Sequence, residues 1–472
     1  MKWLYNHLEY FLVFFLLVVL FFFIFQTTSP SLARVAYAET LFGDSRVHRI
    51  ELSLSSSDFN KILDSPTEKI KYHADVKIDG EFVTDVALAT RGNATLFAGA
   101  EDENFSAYSY KIDFQKWHEK KTYLGLDTLY LNNFFTDPSY LKEYLAYYLM
   151  RSASVPAPLT SYAEVYINGE LQGFYLAIEG YDKSYLKRTG ANPDSALLKP
   201  EPLAHDNSRF AEFQQLDPAS AENYPRDVFA KDYDTEGADL VYRGDAPASY
   251  PAIFKNSLSK LSPANERTII SAIKTLAVGS DAEFETAWDF DALARYAAVH
   301  NFIINSDSYL GTIAHNYLLK LDADSNQLSL LPWDYDLAAY VNWRIEGYSD
   351  IESISSVPFD EPPLGVPSEE RPLWNRLINN PTFREKYVSA FRDLLTSELF
   401  SDRLATELDE KYELIKNYVL EDPGRRIDMS DFESEVDYLR RFFALRAEFL
   451  AEDLNSRELL TSLDLRSAPA AL

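Results

Sequence analysis

The sequence predicts an α+β protein with a β-rich N-terminal part and a mostly helical C-terminal part. Two observations predict this arrangement. In residues 46–200, short runs alternate between apolar and polar residues, and Asp79-Gly80 and Asn168-Gly169 are dipeptides that favour two-residue β-hairpin loops. In residues 201–465, after an irregular polar stretch, apolar residues recur mainly at helical spacing. With 46% hydrophobic residues, the chain of 472 residues can bury a sizeable core.

The N-terminal part predicts a mostly antiparallel sheet with one principal helix packed on it. Asp137-Pro138 predicts the start of that helix, because Asp caps helices and Pro suits the first helical position. A shorter helix is predicted from Ser57-Asp58 to about Asp64. The alternating runs predict strands at 47–54, 72–78, 81–90, 108–114, 122–131, 161–167 and 170–178.

The C-terminal part predicts helices interrupted by one small hairpin over residues 317–331. A β-rich N-lobe followed by a helical C-lobe is the layout of a two-lobed protein-kinase-like fold, although layout alone does not establish function. Residues 347–371, rich in Ser, Pro and acid, indicate a surface loop. Helical periods cover 264–276, 290–304, 374–378, 382–395 and an acidic series to about residue 463.

The N-terminus predicts export. Residues 10–25 carry no charge, which suits a membrane anchor or a signal segment within residues 1–26, followed by a linker at 27–45. Ala36-Tyr37-Ala38 resembles a signal-peptidase site, but it lies far beyond the apolar run, which favours an uncleaved anchor. We therefore expect the main domain outside the cytoplasm, anchored in the membrane or secreted.

Composition excludes several classes of function. The net charge of −28, from 45 basic and 73 acidic residues, argues against nucleic acid as a partner. The absence of cysteine excludes disulfides, Cys-based zinc sites and thiol nucleophiles. The sequence has no GxGxxG, Walker, GxSxG or HExxH motif. Any phosphate site must therefore be a local basic or metal-filled pocket.

Residues 300–340 carry most of the functional information. Asp307 follows an apolar helical run, Asn316 opens a strand, and Asp334 and Asp336 follow a second apolar strand. Carboxylate and amide oxygens are ligands that Mg²⁺ prefers, and a base for a hydroxyl is their usual companion in phosphoryl transfer. The alternative is purely structural, with these side chains capping a helix and turns. The nearby turn 322–326 lacks the Gly and Glu of a calcium loop and is interpreted as a hairpin turn.

Five further residues are candidates for binding a phosphate or for pairing with a residue that does. Lys111 lies in a predicted strand, Lys199 follows an apolar run, and Arg91 precedes a glycine at a strand end. Glu143 and Glu179 could pair with such a lysine, and an acid at the end of a buried strand requires a partner. The alternatives are solvated charges on a helix or strand face and a plain turn at Arg91.

These segments together resemble the CotH family of spore-coat kinases, an atypical branch of the protein-kinase-like fold. The resemblance runs from about residue 47 to 395, through RGNAT, SYKIDF, a long block from LNNFFTDPSY to IEGYD, ALLKP, NSDSY, HNYLL and PWDYDLA. It implies binding of ATP with Mg²⁺ or Mn²⁺ and phosphorylation of protein serines or threonines.

The resemblance also assigns residues. Lys111 matches the lysine that holds the phosphates, and Asp307 matches the acid of the catalytic segment. Asn316 and Asp334 match the metal-side positions, and Asp336 the second acid of the motif. Arg91, Lys199, Glu143 and Glu179 are supporting cofactor-site candidates.

The chain departs from the family pattern at Ala339-Tyr340, where a Phe-Gly pair is usual, and in an acidic insert at residues 98–105. A catalytically degenerate scaffold of the cell envelope is therefore the alternative. A carbohydrate-active enzyme using Asp307 and Asp334 as its carboxylate pair is a third possibility.

Overall fold

The computed structural model describes most of the chain after the N-terminal segment. The described residues are 35–43, 46–102, 105–204, 233–234, 238–311, 314–339, 348–362, 364–396 and 403–459. The predicted anchor or signal segment at residues 1–26 lies outside them, as does Tyr340. None of the helices in the described ranges is both long enough and apolar enough to cross a membrane.

A closed barrel is the central element of the described part of the chain. Its seven strands are hydrogen-bonded in the order β1-β2-β3-β4-β5-β7-β6, and β1 closes the barrel by pairing parallel with β6, with Ile50 opposite Val165. Alternate residues of the strands point inward, and those such as Leu88, Ile112 and Leu131 fill the interior. The strands are β1 His48–Ser53, β2 Tyr72–Ile78, β3 Glu81–Thr90, β4 Tyr110–Asp113, β5 Thr128–Asn132, β6 Thr160–Ile167 and β7 Glu170–Glu179.

The predicted two-lobed protein-kinase-like fold, with an N-terminal antiparallel β lobe, is therefore wrong. The structure has a closed barrel, two separate smaller sheets and helices instead. The hairpins β2–β3 and β6–β7 form as predicted. Hairpin signals identify sequence neighbours, however, and they carry no information on the parallel pairing of β1 with β6, which joins strands more than 100 residues apart.

Two smaller sheets follow the barrel. One has the order β12-β11-β8, built from β8 Ala196–Leu198, β11 Tyr317–Leu321 and β12 Leu328–Pro332. The other pairs β9 Leu203–Ala204 with β10 Tyr233–Asp234. The β11–β12 hairpin confirms the hairpin predicted over 317–331.

A large second core joins the outer face of the barrel to the helices. Tyr162 and Phe174 on that face stack on each other, with ring centroids 5.5 Å apart, and Tyr162 also stacks on Tyr144. The helices are α1 Ala36–Thr40, α2 Ser56–Asp64, α3 Ala94–Ala100, α4 Lys142–Ser152, α5 Lys183–Arg188, α6 Pro251–Phe254, α7 Pro263–Val278, α8 Asp281–Ala287, α9 Phe290–Ile303, α10 Ile351–Ser355, α11 Pro372–Ile378, α12 Pro381–Thr396, α13 Leu404–Glu421 and α14 Met429–Ser456.

The principal helix, α4, begins later than the sequence predicts. It starts at Lys142, because Asp137 first closes a separate turn by accepting from the amide and hydroxyl of Ser139. The other carboxylate oxygen of Asp137 accepts from the Lys142 amide at 2.8 Å. Asp137 thus still satisfies a free amide of the first helical turn, five residues away.

A buried polar cluster fixes the segment before the barrel. Tyr37 in α1 is fully buried, and its hydroxyl donates to Glu179 at 2.5 Å. Tyr37 belongs to residues 27–45, which the sequence predicts to be a linker. Glu179 is also fully buried, and it accepts two bonds from Arg188 and one from the Leu159 amide. Cleavage after Ala38 would remove Tyr37 from this cluster.

We expect Glu179→Gln to lower the free energy of unfolding by about 3 kcal/mol, because it leaves the Arg188 guanidinium without its charged partner. Urea denaturation of the purified chain measures this change. Glu170→Gln, at the exposed start of β7, is the matched control and should leave the stability unchanged. Equal stabilities of both variants would contradict a structural role for the Glu179–Arg188 pair.

Candidate functional site

Basic side chains gather around two aromatic rings at the end of the barrel. Tyr130 on β5 and Trp333 after β12 pack edge to face, with centroids 5.3 Å apart. The Arg91 guanidinium lies 4.8 Å from the Tyr130 centroid and 5.2 Å from that of Trp333. The Lys111 ammonium lies 5.6 Å from Tyr130, and that of Lys199 lies 5.4 Å from Trp333. Ring faces attract cations, so the rings hold these like charges together.

We call Lys69, Arg91, Lys111 and Lys199 the basic cluster. Burial and the charge of Lys199 lower the pKa of Lys69, which places these two lysines close to each other. Lys111 and Arg91 form no ion pair with any residue in the described part of the chain. Lys199 pairs with Glu201, but among the described residues Arg91 and Lys111 converge without such a carboxylate partner. Their positive potential suits an anionic ligand.

A second group, which we call the acidic cluster, comprises Glu143, Asp334 and Asp336. Glu143 on α4 is buried and accepts from Asn132 at 2.6 Å and from the Tyr147 hydroxyl at 3.0 Å. Burial and the charge of Asp334 raise the pKa of Glu143 to about 7. Burial and the charges of Asp334 and Glu143 raise the pKa of Asp336 well above its usual range. These carboxylates repel one another, and a cation among them would relieve the repulsion.

Asp334 is the most exceptional member of the acidic cluster. Its backbone contacts are fixed, since its amide donates to the Tyr147 hydroxyl at 3.2 Å and its carbonyl accepts from Asn305 at 3.3 Å. Its half-buried carboxylate accepts no hydrogen bond from any described residue. Its φ of 57° is left-handed, a strained conformation for a non-glycine residue. The surrounding structure therefore holds this carboxylate in place without satisfying it.

Asp307 lies in a hydrogen-bonded junction beside this cluster. The Asn316 amide group donates to the carbonyl and to Oδ2 of Asp307, both at 3.0 Å. His315 Nε2 lies 3.2 Å from Asp307 Oδ1. The Asp307 amide donates to Asn305 Oδ1 at 3.1 Å, and Asn305 also contacts Asp334. The two acids of the predicted catalytic segment are thus linked through one asparagine.

The two clusters adjoin each other. The positive charge of Arg91 acts to lower the pKa of Glu143, against the effect of burial, and Asp307 acts on Asp336. The structure therefore brings together nearly all the predicted site residues, which are Arg91, Lys111, Glu143, Lys199, Asp307, Asn316, Asp334 and Asp336. Glu179 is the exception, because its carboxylate is saturated by Tyr37, Arg188 and Leu159.

Sequence reasoning missed several residues of the site. Lys69, Tyr130 and Glu201 lie far from the 300–340 segment in sequence, and no motif marks them. Trp333 packs in a small buried core with Tyr181 and Leu331, and its indole N–H is buried without a partner in the described structure. Its position in the PWDYDLA motif was the available signal.

The donor set fits a hard cation such as Mg²⁺ or Mn²⁺. The Asp334 carboxylate and the Asn316 amide oxygen remain available, since the Asn316 amine group is used by Asp307. Among the described residues, no three His, Asp or Glu side chains are arranged to hold a metal ion by themselves. Mg²⁺ is usually held by one or two carboxylates with waters and phosphate oxygens, so a third protein acid is unnecessary.

The comparisons with known proteins agree on one family. Residues 88–450, well over half of the chain, match the family described as CotH kinase protein. The chain is 22% identical to the inner spore coat protein H of Bacillus subtilis (strain 168) over 376 residues, covering 76% of this chain and 86% of that protein. It is 31% identical to an inner spore coat protein H-like protein of the same organism over 131 residues, covering 28% of this chain and 39% of that protein.

The raised pKa of Glu143 predicts a pH dependence of stability. Because the folded pKa of about 7 exceeds the ordinary value of 4.5, the folded state binds the proton more tightly, and stability falls as pH rises from 4.5 to 7. In Glu143→Gln this contribution should be absent, so the loss of stability between pH 5 and pH 8 should be smaller than in the unaltered chain. Urea denaturation in metal-free buffer measures it. An unchanged pH dependence in the variant would contradict the assignment.

Proposed function

The chain belongs to the CotH kinase protein family, and on that basis we propose that it is a CotH-type spore coat protein that phosphorylates protein serines or threonines with ATP and Mg²⁺ or Mn²⁺. The observation that carries the proposal is the proximity of two clusters of opposite charge. In the described structure, Lys111 and Arg91 of the basic cluster have no ion-pair partner, and the Asp334 carboxylate of the acidic cluster has no cation partner. A polyphosphate with its metal would neutralise both clusters at once.

The basic cluster would bind the phosphates. Arg91 directly follows β3, Lys111 lies on the adjoining strand β4, and the ring of Tyr130 lies beside both of them. Holding the cations on rigid strands means that little reorganisation is needed when charge develops on a transferring phosphoryl group. Arg91 also offers the forked donor geometry that suits phosphate oxygens.

The acidic side would hold the metal through Asp334 and Asn316, with Asp336 and Glu143 adding negative charge. A bound divalent cation neutralises phosphate charge during transfer. Asp307 would accept the proton of the acceptor hydroxyl. Asn316 and His315 orient its carboxylate, which is the positioning that such a base requires.

The location follows from the relatives, which are named as spore coat proteins. We propose the spore coat or the cell surface for this chain, in agreement with the export predicted from residues 10–25. A protein with Ser or Thr acceptors is the proposed partner.

A catalytically degenerate scaffold is the second candidate, and the departure at Ala339-Tyr340 favours it. Ala339 has a φ of 54°, and its amide bonds to the carbonyls of Ile303 and Ile304. The loop after the metal-side acids is thereby tied to the end of α9. Nucleotide binding without any phosphoryl transfer would support the scaffold.

The test is phosphoryl transfer by the full chain from labelled ATP, with Mg²⁺ or Mn²⁺, to itself and to a Ser-rich protein. We expect Asp334→Ala to reduce labelling at least about 100-fold, since it removes a proposed ligand of the metal that would neutralise the transferring phosphate. Asp324→Ala, in the exposed turn between β11 and β12, is the matched control and should retain full activity.

Failure of the unaltered chain to bind nucleotide or transfer label would refute the proposal. Equal labelling by Asp334→Ala and the control would refute the assignment of Asp334.

A further inference from the structure

The acid Glu201 lies within the basic cluster. Its Oε1 accepts from the Asn93 side-chain amide at 2.9 Å, and its Oε2 lies 2.9 Å from the Lys199 ammonium. Asn93 follows Arg91 and Gly92, and its Oδ1 accepts from Lys69 at 2.8 Å. Glu201 therefore connects the loop after β3 to the segment after β8 through the cations themselves.

The charges around Glu201 stabilise its ionised form. Burial acts to raise the pKa of Glu201, but the charges of Lys199 and His315, with a contribution from Lys69, outweigh burial and hold the pKa below its usual range. Glu201 is therefore an anion surrounded by the groups that the proposed function assigns to phosphate. A carboxylate and a phosphate use the same donors, since both present oxygens to ammonium and amide groups.

The backbone around Glu201 is fixed, and its side chain is partly exposed although Oε2 itself is buried. The Glu201 amide donates to the Ala252 carbonyl at 3.0 Å, and the Lys199 amide donates to the Asn256 carbonyl at 3.1 Å. The side chains of Lys199 and Glu201 are 27% and 20% exposed. Displacement of the carboxylate by a ligand therefore requires a side-chain rotation that uncovers Oε2, while the main-chain hydrogen bonds stay in place.

We propose that Glu201 is an internal counter-anion, which occupies Lys199 and Asn93 in the ligand-free protein and is displaced when a phosphate binds there. The inference rests on the proposed phosphate-binding function of the basic cluster. Glu201 should therefore lower the affinity of the basic cluster for phosphate, because a ligand that reaches Lys199 must first break the Glu201 contacts. Phosphate binding would also release the Asn93 amide group from Glu201, while Asn93 Oδ1 keeps its bond from Lys69.

The test is calorimetric titration of the full chain with inorganic tripolyphosphate in metal-free buffer. We expect Glu201→Gln to bind tripolyphosphate roughly three- to tenfold more tightly than the unaltered chain, the range for release of a partly exposed charge pair. Glu448→Gln, at an exposed position of α14, changes the net charge equally and should leave the affinity unchanged. In a Lys199→Gln background, Glu201→Gln should no longer tighten binding.

Glu201→Ala provides a second variant in case Glu201→Gln does not fold, and the same tightening is expected. Equal or weaker binding by the Glu201 variants, while the unaltered chain binds tripolyphosphate, would overturn the counter-anion role and leave the proposed function standing. Absence of binding by every variant and by the unaltered chain would refute the phosphate site itself.

Discussion

The pairing of β1 with β6 is the constraint on which the site depends. By closing the barrel, it fixes the order and register of β3, β4 and β5, so that Lys111 lies opposite both Ala89 and Tyr130. Side chains along a strand alternate between the two faces, and Tyr110 and Ile112 fill the interior. A slip of one residue would turn Lys111 into the apolar interior and an apolar neighbour outward. The strand register thus determines which charged side chains lie on the outer face of the barrel, where the proposed phosphate would bind.

The site separates charges that would otherwise neutralise one another. Arg91 faces Tyr130 and Trp333, while Asp334 faces Glu143 and Asp336, so each group keeps like charges together. Such an arrangement costs stability, and the raised pKa of Glu143 is one measure of that cost. Local strain and incomplete neutralisation are typical of residues placed for a ligand and not for the folded state alone.

Sequence reasoning located the hairpins and the helices closely, because dipeptides such as Asn168-Gly169 and the helical period are local signals. Sequence reasoning did not predict the barrel, because the parallel pairing of β1 with β6 depends on tertiary packing between distant strands. The candidate site was found largely through ordered motifs, and eight of the predicted residues do adjoin. Glu179 shows the limit of such reasoning: a buried acid at a strand end requires a partner, and only the fold shows that Arg188 supplies it.

Closure also has a consequence for how this chain could assemble with others. A barrel in which every strand has two neighbours offers no free row of backbone amides and carbonyls. In the small sheet, β8 and β12 are edge strands, but isolated bridges to Ser257 and Trp288 cover part of each. Strand addition is thus disfavoured at the barrel and hindered at β8 and β12. Partners of the barrel must instead recognise side-chain surfaces, and binding specificity can then evolve by surface substitution without altering the barrel.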